Sequence, residues 1–346
     1  IIQIKLPDMG FQPHYETKVT TIDPANHQVH DQAGNTYGYL RLLLATGGRP
    51  RRLPFGGDAI LYYRTLEDYH TVRGWTGKGA RFGIIGGGFI GSELAAALAI
   101  NDELVSMVIP EAGIGSWVFP ADLASFLNQY YTAKGVDVRA GEEIVDVVTL
   151  DAGKQSGPRY ALKTKSGQSI EVDHVIAGIG IQPNTEIAHS AGIELAEPKD
   201  GGGILVDEYL RTNLPDIFAA GDNATFYNPA LGKRVRVEHE DNANTMGYFA
   251  GLNLAGQDTP YYHQPYFYSD LFDLAYEALG DTDPRLDHFA DWEKPYQKGV
   301  VYYLNEGRVR GVLLWNTWGQ VDAARRLIAE NRRVEKTSLK GRLPEK

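Results

Sequence analysis

Gly86-Gly87-Gly88-Phe89-Ile90-Gly91 stands between an apolar run, Arg81 to Ile85, and an Ala/Leu-rich segment, Ser92 to Ile100. Glycines at this spacing, in a turn from a buried strand into a helix, suit a phosphorylated ligand. Gly86 makes the tight turn, Gly88 lets backbone approach a pyrophosphate, and Gly91 lets helix and strand pack closely. The helix N-terminus then directs unpaired N–H groups at the phosphates. A chain with 39 glycines will contain G-x-G-x-x-G by chance, so its surroundings must carry the assignment. A second apolar strand, Leu104 to Ile109, ends at Pro110-Glu111, about 20 residues past Gly91, where an acid meets a ribose 2′-hydroxyl. Val105 to Pro120 contains no Lys or Arg to neutralise a 2′-phosphate, which favours NAD over NADP. The plainer alternative is a Gly-rich turn in an ordinary strand–helix–strand unit with Glu111 merely solvated.

Other residue types narrow the chemistry. The chain has no cysteine, so no dithiol, sulfenic or thiolate-metal centre is available, and any redox work must run through a bound cofactor. Its nine histidines show no HExxH or other metal spacing, and no G-x-S-x-G turn occurs. We therefore expect no metal, no covalent catalysis and no side chain that is strictly catalytic.

The elements that must position these residues follow from pattern. Short strands are expected at Lys18 to Ile22, His27 to His30 and Leu40 to Leu44, the last ending at Ala45-Thr46-Gly47. Further strands are expected at 134–138, 146–148, 160–164 and 169–172, then Asp173 to Gly180, which stops at Gly178-Ile179-Gly180. A helix is expected from Asn242 to Leu254, a hairpin from Gly299–Leu304 and Val309–Trp315, and a last helix over 319–330. At 346 residues the chain suits two or three domains. No run of 18 apolar residues is present, and Ile1 to Lys5 does not read as a signal peptide, so the cytoplasm is the expected compartment. A net charge of −10 disfavours nucleic acid. Residues 325–346 depart from that balance, with eight basic side chains (Arg325, Arg326, Arg332, Arg333, Lys336, Lys340, Arg342, Lys346) against Glu330, Glu335 and Glu345. A solvated face is the ordinary meaning of such a run, and a docking patch for an acidic partner the alternative.

Leu43 to Pro50, Gly83 to Ala95, Gly178 to Asn184 and Thr212 to Asp222 (TNLPDIFAAGD) occur in an order that resembles the FAD-dependent pyridine nucleotide-disulfide oxidoreductases. Arg236 to His239 and Tyr262 to Leu271 resemble the apoptosis-inducing factor and NADH-ferredoxin reductase-like branch. The resemblance implies an α/β fold with two Rossmann-like domains, FAD- and NAD-binding, plus a C-terminal α+β domain with an antiparallel sheet. The expected division is 1–52 and 182–260 for FAD, 53–181 for NAD and 261–346 for the last domain. The first Rossmann unit is incomplete, since no Gly-rich turn lies between Ile1 and Leu40, and the chain reads as a fragment lacking that part.

By this resemblance Asp222, held by Gly221, bonds a ribityl hydroxyl of FAD. Ala45, Thr46 and Gly47 approach FAD from the other side, with Arg49 reaching toward it. Glu238 and His239 lie beside the isoalloxazine, and Phe267 and Tyr268 place aromatics against it. Gly178, Ile179 and Gly180 underlie the nicotinamide riboside, within the NAD site of Gly86, Gly88, Phe89, Ile90, Gly91 and Glu111. Glu93 lies near the nicotinamide, or else serves only the helix N-terminus. The plainer meanings are an N-cap for Asp222, a buried structural histidine for His239 and core packing for the aromatics. The activity implied is hydride transfer from NADH to FAD, then electron delivery to an unidentified acceptor: a small redox protein such as a ferredoxin, a quinone or a dye-like oxidant. An NADH-responsive interaction protein with weak turnover is the alternative, and a homodimer is compatible with both.

Overall fold

The computed structural model describes residues 10–77, 79–150 and 158–344. Ile1 to Lys5, read above for a signal, and the tail residues Glu345 and Lys346 lie outside the described residues. The chain forms two compact units, residues 1–48 with 183–263 and residues 49–182 with 264–346.

The second unit contains a five-stranded parallel sheet in the order Ile60–Tyr62, His174–Ala177, Arg81–Ile85, Leu104–Ile109, Val136–Ala140. Its central strands read as unbroken apolar runs because both faces are covered. Phe82, Ile84, Met107 and Ile109 are fully buried. Helices Phe89–Ile100 and Ala121–Ala133 connect Arg81–Ile85 to Leu104–Ile109 and Leu104–Ile109 to Val136–Ala140, while an antiparallel flap, Ile144–Thr149 with Tyr160–Thr164 and Ser169–Val172, joins the sheet core through Leu162, Ile170 and Val172. The flap sits so close that a Cβ on Gly83 would lie 2.6 Å from Leu162 Cδ1.

A five-stranded antiparallel sheet completes this unit, in the order Tyr266–Leu271, Leu274–Gly280, Arg308–Trp315, Lys298–Asn305, Asp287–Lys294, with helix Val321–Ala329 against it. Tyr276, Tyr303 and Trp315 share one core with the nucleotide-domain helices. Phe119 meets Tyr276 and Trp315 edge-on at 5.1 and 5.5 Å, and the Tyr303 hydroxyl donates to Val118 O at 2.7 Å. The C-terminal segment thus packs with residues 49–182 as one body.

In the first unit, strand Leu42–Leu44 pairs in parallel with Ile217–Ala219, so Leu44 stands beside Ala219 and both strands run out at the same end. Helix Glu240–Leu254 contributes Met246 and Ala250 to a core with Ile217, Ala219 and Phe226.

Most expected elements occur within two or three residues of their anticipated ends. The helix anticipated from Ser92 begins at Phe89 instead, with Gly88 as its N-cap, because the last glycine of the turn already adopts helical backbone inside the first turn. The C-terminal basic run is largely tied down: Arg325 to Asp322 at 3.0 Å, Arg332 and Arg342 to Glu330 at 2.8 and 3.1 Å, and Lys336 to Asp287 at 2.5 Å. That pairing supports the solvated-face reading.

Candidate dinucleotide and flavin sites

The parallel sheet reverses its winding between Arg81–Ile85 and His174–Ala177, since the chain lays two further strands on one side of the first before returning to the other. Ligands of open α/β sheets bind at such a switch point, beyond the carboxyl ends of the strands. Both glycine segments emerge there. Gly178 N donates to Ile85 O at 2.9 Å, and Gly86 N donates to Val108 O at 3.0 Å.

The glycines are required by contact as well as conformation. Gly86 has φ of 106°, and a Cβ there would stand 2.5 Å from Gly178 O. A Cβ on Gly91 would be driven into Gly86 O, and one on Gly178 would lie 2.8 Å from Gly91 N. Gly88 is different: nothing lies closer than 3.9 Å to its missing Cβ, so the open space above it faces the ligand side of the helix N-terminus. Ile90 and Ile179 line the same turn. Gly180, at φ of 87°, accepts from Arg51 N at 2.9 Å.

Glu111 lies just past strand Leu104–Ile109, exposed, with its backbone fixed by Gly141 N donating to Glu111 O at 2.8 Å. Its carboxylate makes no hydrogen bond or ion pair among the described residues. The cation closest in register, Arg139 beside Val108, is already engaged by Asp137 at 2.8 Å and Gln168 at 2.5 Å. Sequence spacing could not find Arg139, because it sits on the neighbouring strand.

Glu93 is the fifth residue of its helix and no acid occupies the first turn, so a helix-dipole role is weak there. The Ser269 hydroxyl donates to Glu93 Oε1 at 2.6 Å. One side of Glu93 stays open to solvent, yet the packing around its carboxyl, with the charge of Asp270, pushes its pKa up against the pull of Ser269. Phe267 packs edge-on to Phe89 at 5.3 Å. Tyr268, its neighbour on a strand, points to the opposite face and is 52% exposed, so the two do not form a single stripe.

In the first unit, the two loops at the ends of the parallel pair are stitched together. Thr46 Oγ1 donates to Asn184 O at 2.7 Å and accepts from Asn223 Nδ2 at 2.9 Å, while Asn184 Nδ2 donates to Thr46 O at 2.8 Å. Asn184 N also donates to Gly47 O at 2.9 Å. Asn223 is fully buried and its Oδ1 has no partner among the described residues, an acceptor that a ligand hydroxyl would satisfy. Gly221, at φ of 85°, donates its N–H to Met246 Sδ at 3.2 Å. Arg236 pins the following loop by donating to Asp222 O at 2.8 Å and Gly201 O at 2.7 Å, and pairs with Glu238 at 2.7 Å. Glu238 is thus tied to Arg236, a member of the Arg236–His239 segment that carried no role of its own in the sequence. Ala45 continues the strand end, and Arg49 opens the second unit's share of the chain.

His239 caps helix Glu240–Leu254, and burial lowers its pKa to about 4 against the attraction of Asp222 and Asp241. The unfolded chain takes up that proton near pH 6.5, the folded one only near 4, so stability falls as the pH drops through this window. The free energy of unfolding followed from pH 7 to 4 should decline less steeply in His239→Gln, by roughly 2 kcal/mol over the range after solvent screening. Parallel curves would rule out the neutral buried imidazole.

Comparison with known proteins agrees with this geometry. Residues 7–247 match the family described as pyridine nucleotide-disulphide oxidoreductase, and residues 287–330 match the C-terminal domain of mitochondrion-associated apoptosis-inducing factor. The chain belongs to the pyridine nucleotide-disulphide oxidoreductase family. Within it, the branch is that of the apoptosis-inducing factors and ferredoxin reductases. Apoptosis-inducing factor 1, mitochondrial, of Dictyostelium discoideum is 37% identical over 87% of this chain, which spans 59% of that protein's length. The ferredoxin reductase subunit of 5,5′-dehydrodivanillate O-demethylase from Sphingobium is 32% identical over 96% of this chain and 79% of its own. A solved covalent putidaredoxin reductase–putidaredoxin complex superposes with a TM-score of 0.84 at 29% identity, over 93% of this chain and 77% of that one. Members of this family bind FAD and a nicotinamide nucleotide, the pair expected from the sequence. Among the described residues no helix is long and apolar enough to cross a membrane.

Proposed function

We propose that the protein is an NADH-dependent FAD oxidoreductase that delivers electrons from the reduced flavin to a separate acceptor. The observation that carries the reading is the glycine turn at the sheet's switch point, with Glu111 unpaired beside it and Arg139 held by Asp137 and Gln168. A ribose 2′-hydroxyl suits that acid, and a 2′-phosphate would meet its charge unneutralised. The bound flavin supplies the hydride-accepting and electron-releasing chemistry. Thr46, Gly47, Gly221, Asp222 and His239 are the residues proposed to hold it, with Asn223 and Arg236 fixing their loops. Gly86, Gly88, Phe89, Ile90, Gly91, Glu111, Gly178, Ile179 and Gly180 are proposed to bind and orient the nicotinamide nucleotide. Glu93, held by Ser269, would fix a polar contact near the reacting ring, on the helix that also carries Phe89 against Phe267.

The Sphingobium and putidaredoxin reductase likenesses favour a small redox protein as acceptor. Anaerobic titration of the flavin-loaded protein tests the reading: NADH should bleach the visible flavin bands stoichiometrically, and NADPH at equal concentration at least tenfold more slowly. Absence of bleaching by either nucleotide would sink the enzyme reading. The match of residues 287–330 to apoptosis-inducing factor keeps one alternative in play, an NADH-responsive interaction protein. Slow reoxidation by every acceptor, with NADH-dependent dimerisation in a sizing experiment, would mark that case. We place the protein in the cytoplasm on this reading, and cell fractionation decides it, since the Dictyostelium relative is named mitochondrial.

A further inference from the structure

Trp117 is a large apolar side chain left 48% exposed immediately ahead of two buried residues, Val118 and Phe119. Its loop is fastened to the glycine turn. Gly115 N donates to Gly87 O at 3.0 Å, Ser116 Oγ donates to Gly113 O at 2.7 Å, and Val118 N and Phe119 N both donate to Gly115 O at 2.8 Å. A Cβ on Gly115 would collide with the Phe119 ring, so this loop has little freedom to move Trp117 elsewhere. The indole meets Phe89 edge-on with centroids 4.8 Å apart. Its Nε1 stands 3.9 Å from the position a Gly88 Cβ would take, level with Gly178 O at the same distance. That N–H has no acceptor among the described residues.

We propose that Trp117 is a dinucleotide-binding residue whose indole N–H donates to the pyrophosphate lying over Gly88. The inference rests on the nicotinamide-nucleotide reading and adds to it a residue outside the glycine motif. The segment from Val105 to Pro120 offers no Lys or Arg, so the donors it and the glycine turn bring to the pyrophosphate are neutral ones, the helix N-terminus and this indole. The ring also holds Phe89 in place from the side, which couples phosphate binding to the orientation of that aromatic.

The test uses the flavin-loaded protein with three probes measured by calorimetry: oxidised NAD, ADP-ribose, which keeps the pyrophosphate and lacks nicotinamide, and AMP, which lacks the pyrophosphate. Trp117→Phe keeps an aromatic ring beside Phe89 and removes the N–H donor together with part of the indole surface. It should bind NAD and ADP-ribose about tenfold more weakly, the equivalent of about 1.4 kcal/mol, and AMP as the parent does. NAD should quench tryptophan fluorescence in the parent and much less in the variant. Unchanged ADP-ribose affinity in Trp117→Phe would overturn the proposal while leaving the dinucleotide site intact, as would equal weakening of AMP. Failure of the parent protein to bind any of the three would remove the dinucleotide reading and the proposal together. A melting curve for Trp117→Phe matching the parent's excludes misfolding as the cause.

Discussion

Gly91→Ala should weaken NADH binding by roughly 100-fold, about 2.8 kcal/mol, and lower the melting temperature as well. The added methyl would be forced into Gly86 O, a backbone atom fixed by the strand and by the Gly86 N–H bond to Val108 O. Neither side can swing aside as a flexible side chain would, so helix Phe89–Ile100 must shift off the sheet. Overpacking of that kind costs about 1–3 kcal/mol of stability, and it also moves the N-terminal amides away from the phosphates. Gly88→Ala makes the informative contrast. With φ of −79° and nothing within 3.9 Å of the new Cβ, that variant should melt like the parent, yet bind NADH about tenfold more weakly because the methyl occupies the ligand's approach. Calorimetric titration and thermal melts of the two variants separate the roles. Equal melting temperatures and equal affinities would mean that the turn binds no pyrophosphate.

The expectation that the two glycines divide their work in this way comes from spacing, because the chemistry of the turn is local, and the fold bears out the close packing at Gly91 and the open space at Gly88. The strands at Arg81–Ile85 and Leu104–Ile109 and the C-terminal hairpin were legible for the same reason, as unbroken β-rich runs with turn residues at their ends. Two helices went unread although their signals were present. Helix Leu66–Trp75 opens with a Thr65–Asp68 capping box, whose reciprocal bonds measure 3.1 and 2.7 Å. Helix Ala121–Ala133 buries Leu123, Leu127 and Tyr131, four residues apart, behind Pro120. The strands at Leu274–Gly280 and Asp287–Lys294 gave weaker signals, since the first is covered on both faces, by the shared core and by helix Val321–Ala329, and the second lies at the sheet edge with no residue fully buried. What no local pattern could disclose was long-range partnership. Ser269 meets Glu93 across 176 residues, and Asn223 ties Leu44 to Thr46 from 177 residues away. Trp117 carried no signal of its own in the sequence, and its exposure beside buried Val118 and Phe119 comes only from the fold.

Nucleotide choice rests on the same division between local and distant groups, and Glu111 is where it should be felt most after Gly91. Removing its carboxylate in Glu111→Ala should weaken NADH by about 30-fold, roughly 2 kcal/mol, the usual worth of a hydrogen bond to a charged group. NADPH should respond in the opposite sense, gaining a few-fold because the repulsion between Glu111 and its 2′-phosphate is gone. The preference would then shrink from both ends, and the ratio of kcat/KM for the two nucleotides measures it directly. A full reversal is not expected, because the nearest cation stays committed: Arg139 is held by Asp137, which also accepts from the Ser106 hydroxyl at 3.0 Å. Adding Asp137→Ala to Glu111→Ala releases that guanidinium, leaving only Gln168 to hold it, and should raise NADPH affinity by a further tenfold. If the parent protein already takes NADPH as readily as NADH, the acid is not on the ribose, and Arg139 must leave Asp137 when the nucleotide binds.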